Sequence, residues 1–144
     1  MNLTRREMGR AALAITAVAI AARAAPVMAA EDQAVTEAIM AFTGGATPEE
    51  GGIDVGAPEI AENGNTVPIE VEAEGATDVL ILAAGNPNPG VATIHFGALS
   101  ASPVAKTRIR LAKTQDVIAV AKMSDGSFRQ SARTIKVTIG GCGG

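Results

Sequence analysis

Cysteine and histidine each occur once in this chain, and tryptophan and tyrosine not at all. A single cysteine cannot close a disulfide within the chain, so it stays free, pairs with another molecule or carries something. One histidine and one cysteine cannot assemble a transition-metal site, which draws on three or four ligands. Neither a metal nor a cofactor is expected. Phe42, Phe96 and Phe128 are the whole aromatic content. A core of Ala, Val, Ile and Leu buries modest area in a domain this small, which points to a partner surface completing it. Lys and Arg are absent between Glu31 and Asp78, a stretch with twelve acids. From Lys106 to Lys136 the balance reverses, with eight bases against Asp116 and Asp125. Neighbouring strands are expected to neutralise part of this, and a lopsided charge also suits steered docking of a partner.

The amino terminus reads as a segment to be removed. Arg5 and Arg6 stand just before an apolar run, Ala11 to Ala22. That run is shorter than the ~20 residues a membrane-spanning helix needs. Arg23 interrupts it, and Val27-Met28-Ala29 offers small residues for a signal peptidase. Residues 1–29 are therefore expected to be a twin-arginine signal, which exports folded proteins to the periplasm. The whole chain has twelve bases and fifteen acids; losing four arginines and Glu7 leaves eight and fourteen, a net charge of −6. An acidic product argues against nucleic acid and anionic membrane as partners.

The carboxyl terminus is the opposite case, a segment to be presented. Gly140-Gly141-Cys142-Gly143-Gly144 places the one thiol between glycine pairs. Glycine visits positive φ freely, so such an end has little preferred conformation. Three residues past Ile139 reach at most ~10 Å, so Cys142 is expected on a short flexible tether. No base flanks it within five positions, and the terminal carboxylate disfavours a thiolate. The sulfur is accessible, and its activation is left to others. His95 is expected on a strand, facing a neighbour or solvent, and not as a partner of the thiol.

Between these ends the hydrophobic period changes once. Asp32 to Phe42 reads as an amphipathic helix with Asp32 as its N-cap and Gly44-Gly45 as its stop. After a loop from Gly44 to Gly52 the period becomes two. Short pieces around Ile53–Val55 and Ile60 precede a strand over Val67–Glu72, and Asp78–Ala83 is a continuous apolar run buried on both faces. Further strands are expected over Val91–Ala98, Lys106–Leu111 and Asp116–Met123, with a Ser124-Asp125-Gly126 hairpin. The last, Thr134–Ile139, is expected to turn Ile135, Val137 and Ile139 inward. Seven or so short strands make residues 30–139 a β-sandwich domain, followed by residues 140–144 as the arm.

Three functions suit a tethered thiol on a sandwich. A covalent carrier holds an intermediate on Cys142 while other enzymes act on it. A ubiquitin-like carrier uses the Gly144 carboxylate, but its adenylation step needs ATP, which an exported protein lacks. A non-catalytic periplasmic interaction module explains the fold and leaves the cysteine idle.

The terminal Gly-Gly-Cys-Gly-Gly, the twin-arginine leader, Ala41-Phe42-Thr43-Gly44-Gly45, Ala61 to Pro68 (Ala-Glu-Asn-Gly-Asn-Thr-Val-Pro) and Asn86-Pro87-Asn88-Pro89 together resemble the SoxY sulfur carriers of bacterial thiosulfate oxidation. The resemblance covers the chain beyond the leader. It implies an all-β, immunoglobulin-like sandwich with a short N-terminal helix, paired as a heterodimer with a second small sandwich subunit, SoxZ. It makes Cys142 the attachment point for thiosulfate and Gly140, Gly141, Gly143 and Gly144 the carrier arm. The chain would then be no enzyme but the substrate carrier of a multi-enzyme system. A haem sulfur transferase would load it, a hydrolase would release sulfate, and a sulfane dehydrogenase would oxidise the remaining sulfur.

Overall fold

The computed structural model describes residues 27–100 and 102–139. Among them lie one helix, α1 (Val27–Thr43), and nine strands: β1 (Glu49–Glu50), β2 (Asp54–Gly56), β3 (Ile60–Ala61), β4 (Val67–Glu72), β5 (Ala76–Ala83), β6 (Gly90–His95), β7 (Val104–Ile109), β8 (Gln115–Met123) and β9 (Phe128–Val137). Strict alternation in β4 puts Val67, Ile69 and Val71 on one face, where all three are buried. β4 lies between β2 and β7, antiparallel to both, and the three form the smaller sheet. The larger sheet runs β9-β8-β5-β6, with β1 and β3 both joined to the outer edge of β9 in parallel.

The two sheets close over one core. Val79 and Ile81 of β5, Val117 and Ala119 of β8 and Ile135 of β9 meet the inward row of β4, together with Val55, Ile109 and Leu111. The intervening residues of β5 and β8 face the other way. Leu80, Leu82 and Val120 pack under α1 through Val35, with Ala38, Ile39 and Phe42 beside them. The continuous apolar run of β5 thus has a cause: it is the middle of three layers. Burying one such leucine is worth about 1.5–3 kcal/mol, and an isolated helix of this length is marginal in water. The layer contact holds the helix. This is the all-β sandwich with an N-terminal helix that the sequence predicts.

Gly44 and Gly45 stop the helix at φ 67° and 91°. The amide of Gly45 donates to the carbonyl of Met40 at 3.0 Å, six residues closing the last turn. The hairpin at Ser124–Gly126 also forms, with Gly126 at φ 86° and the Ser127 amide donating to the Asp125 carboxylate at 2.8 Å.

Four details differ from expectation. Asp32 is not an N-cap: the helix already includes Ala29, Ala30 and Glu31, all good helix formers, and the Asp32 carbonyl accepts from the Thr36 hydroxyl. Glu49–Glu50 lies in the expected loop yet pairs with Arg129 and Gln130. β6 ends at His95, short of the Ala98 expected. The last strand starts at Phe128, not Thr134, and Ile139 is 67% exposed. It lies past the final β8–β9 pair, Gln115–Ile135, so no inner sheet remains for it to face.

Candidate functional site

The expected attachment point Cys142, the arm glycines Gly140, Gly141, Gly143 and Gly144, and the export pair Arg5 and Arg6 lie outside the described residues. What the structure gives is the place from which the arm departs. β9 is held on both edges up to its end. On one edge, the Val137 amide donates to the Thr114 hydroxyl at 2.9 Å. On the other, β3 pairs Ile60 with Lys136 and Ala61 with Val137. The Thr138 amide then donates to Ala61 at 3.0 Å and the Thr138 hydroxyl to the Glu62 carbonyl at 3.1 Å.

The turn after β3 completes the clamp. The Asn63 side chain accepts from the Asn65 amide at 2.9 Å, a local turn of the kind asparagine favours. Gly64, buried between strands, donates to the Ile139 carbonyl and accepts from the Leu111 amide, both at 2.8 Å. One glycine therefore ties the end of the larger sheet to the segment leaving the smaller one.

A polar hub braces the same end. Gln115 is 7% exposed. Its side-chain carbonyl accepts from the Gly85 amide at 2.7 Å, and its amide donates to the Asn86 side chain at 2.9 Å. Asn86 also accepts from the Ala112 amide at 2.9 Å and donates to the Arg110 carbonyl at 2.8 Å. Gly85 has no room for a side chain, since a Cβ there would come within 2.8 Å of Lys113 and 2.9 Å of Gln115. Lys113 in turn pairs with Glu31 at 2.7 Å, fastening α1 to this end. Composition alone makes Asn63-Gly64-Asn65 a turn signal and Gly85 to Gly90 a turn-rich loop. It gives no sign of Gln115 as the partner of Gly85 and Asn86, or of Ile139 and Leu111 as the partners of Gly64, because those contacts are long-range.

His95 stands at the far end. It is 75% exposed and paired with Asp78, whose carboxyl is held below its ordinary value by the Thr77 hydroxyl first, then by His95. Asp125, also distal, is lowered by its bonds from Ser127. Asp78 pairs with Lys122, eight residues along β8 from Thr114, about 27 Å at strand rise. An arm reaching ~10 Å to its sulfur does not meet this imidazole. Among the described residues no group of three or more His, Cys, Asp or Glu is placed to hold a metal, and no helix is long and apolar enough to cross a membrane.

Among the described residues the geometry thus offers a braced strand end that leads toward Cys142, with no metal-holding cluster beside it. Known proteins share the fold to different degrees. A solved structure of the sulfur carrier protein SoxY from Chlorobium limicola f thiosulfatophilum is 35% identical, covering 75% of this chain and 99% of that one, with a TM-score of 0.65. Superoxide reductase (neelaredoxin) from Ignicoccus hospitalis is 17% identical over 60% of this chain and 80% of its own, with a TM-score of 0.53, a likeness of fold alone. No curated protein matches the chain. The model of the family "Sulfur oxidation protein SoxY" matches residues 39–142, from α1 through the cysteine itself. The chain belongs to the SoxY family of sulfur oxidation proteins.

Proposed function

We propose that this protein is a periplasmic sulfur carrier that holds thiosulfate-derived intermediates on Cys142 and presents them to separate enzymes. The observation that carries the reading is the family match running from the helix through Cys142, supported by a sandwich that brings its last strand to a braced end. In loading, the thiol gives up its proton, the outer sulfur of thiosulfate bonds to Sγ, and two electrons leave to a haem sulfur transferase. Water then cleaves the bond to the sulfonate group, releasing sulfate and leaving one sulfane sulfur on Cys142. A sulfane dehydrogenase oxidises that sulfur where the system includes one. The chain's own part is reach and exposure.

The same reading makes residues 1–29 a twin-arginine leader, with Arg5 and Arg6 as its recognition pair. Cleavage after Ala29 retains Val35, Ala38, Ile39 and Phe42, the residues that seat α1 on the sheet. A SoxZ-like sandwich is the heterodimeric partner. The test is the intact mass of protein taken from cells oxidising thiosulfate, before and after mild reductant, beside Cys142→Ser. Reductant-sensitive sulfur adducts on the native chain and none on the variant are expected. An unmodified thiol would sink the carrier reading.

A further inference from the structure

Folding neutralises much of the charge separation along the chain, and what remains has a direction. Three ion pairs join the acidic first half to the basic second half: Lys106–Glu70, Lys113–Glu31 and Arg129–Glu49. Arg108 and Arg110 stay outside this scheme, as do Lys122, Arg133 and Lys136, but only the two arginines stand side by side on one strand face. Both are exposed, two residues apart at the end of β7, and among the described residues neither has an ion-pair partner. Arg108 makes one long contact, 3.4 Å to the Thr66 hydroxyl. At the opposite end of the sandwich the exposed charges outside these pairs are mainly acids: Glu50, Glu72, Glu74 and Asp125 against Lys122.

The two guanidiniums lie beside the arm's root. The Ile139 carbonyl bonds Gly64, and Gly64 bonds Leu111, next to Arg110. Two such steps at strand spacing are about 10 Å. Glu62 lies on the segment between them, exposed and outside every ion pair of the described residues. The chain as a whole is acidic, with a net charge of −3. An acidic surface therefore repels most orientations of this molecule and favours the one that leads with Arg108 and Arg110.

We propose that Arg108 and Arg110 form a docking contact for an acidic protein surface beside the cleft that the arm enters. The contact steers the molecule arm-first, while Glu62 opposes it. This rests on the carrier reading, and it concerns which face of the carrier meets the client enzyme. Opposite charges of this kind act on encounter rate more than on final affinity.

The experiment measures the loading rate of Cys142 by a haem sulfur transferase, using the full exported protein at low and high salt. Arg108→Gln with Arg110→Gln is expected to lower the rate about tenfold at low ionic strength. Glu62→Gln is expected to raise it, and Arg108→Lys with Arg110→Lys to keep most of it. All differences should collapse near 1 M salt, where screening acts within about 3 Å. Equal rates in all variants, with the wild type active, would overturn the docking contact and leave the carrier role standing. An inactive wild type would remove both. Alkylation by neutral iodoacetamide and anionic iodoacetate separates a further case. A double-glutamine variant that loses only its iodoacetate reactivity would mean the arginines attract small anions to the thiol, which overturns the protein-docking assignment.

Discussion

The Gly64 amide meets the Ile139 carbonyl at 2.8 Å, and this bond is the last described fastening before the chain leaves the sandwich. Buried, paired amides exchange slowly because they open only with their surroundings. Hydrogen exchange followed by NMR should therefore show protection at Gly64, Leu111 and Thr138, comparable with the interior of β8. Exchange at Gly64 as fast as in an open loop would mean the arm is rooted further back, near Ile135.

Gln115 should be more important to stability than its polarity suggests. Gln115→Leu keeps the volume but leaves the Gly85 amide without its acceptor and takes from the Asn86 side-chain oxygen one of its two donors, the other being the Ala112 amide. A buried group left unpaired costs about 1–3 kcal/mol. Denaturant unfolding should show a loss of that size, with faster exchange confined to the 85–89 and 110–114 segments. A neutral variant would show that water replaces both bonds.

Asp78 sets part of the acid limit. Its carboxyl is lowered from its ordinary value by the Thr77 hydroxyl and then by His95. A carboxyl lowered by folding stabilises the native state above its unfolded value, ~3.9, and that contribution disappears as pH falls through the folded value. Asp78→Asn should lower the melting temperature at pH 7 and make the curve flatter than wild type below about pH 4. Parallel curves for the two proteins would rule this linkage out.

The arm glycines should matter to enzymes and not to small reagents. Gly141→Pro fixes φ near −65° and restricts Gly140 as well. Gly143→Val sets a β-branched side chain beside the sulfur. Neither substitution changes a residue of the clamp at Gly64, so melting and iodoacetamide reactivity should stay near normal. Turnover in a reconstituted thiosulfate-oxidising mixture should fall at least tenfold, by roughly 1.4 kcal/mol or more. Wild-type turnover in both variants would reduce the glycines to a tail.

How legible each element was depends on where its cause lies. β4 was readable to the residue, because alternation from Val67 to Glu72 is local and one face is buried. β5 showed its two-sided burial in the sequence, though not that a helix supplies the second cover. β1 and the first half of β9 carried no such signal. Glu49–Glu50 precedes two glycines, and Phe128 to Arg133 is mostly polar; they become strands by pairing with each other and with β8. Cys142 stood out by composition alone. Its platform did not, since Asn63-Gly64-Asn65 announces a turn and says nothing of the Ile139 carbonyl it will bind.

The parallel attachment of β1 and β3 to the outer edge of β9 has a mechanical consequence. A thiol drawn from a tight cleft is pulled from the chain end, and that load enters β9 along its own axis. β8 holds one edge from Phe128 to Ile135, and β1 and β3 hold the other at its two ends. The hydrogen bonds of these ladders lie across the direction of pull and share it in shear, instead of opening one at a time like a zipper. The carrier can be tugged by its cargo without being unravelled by it.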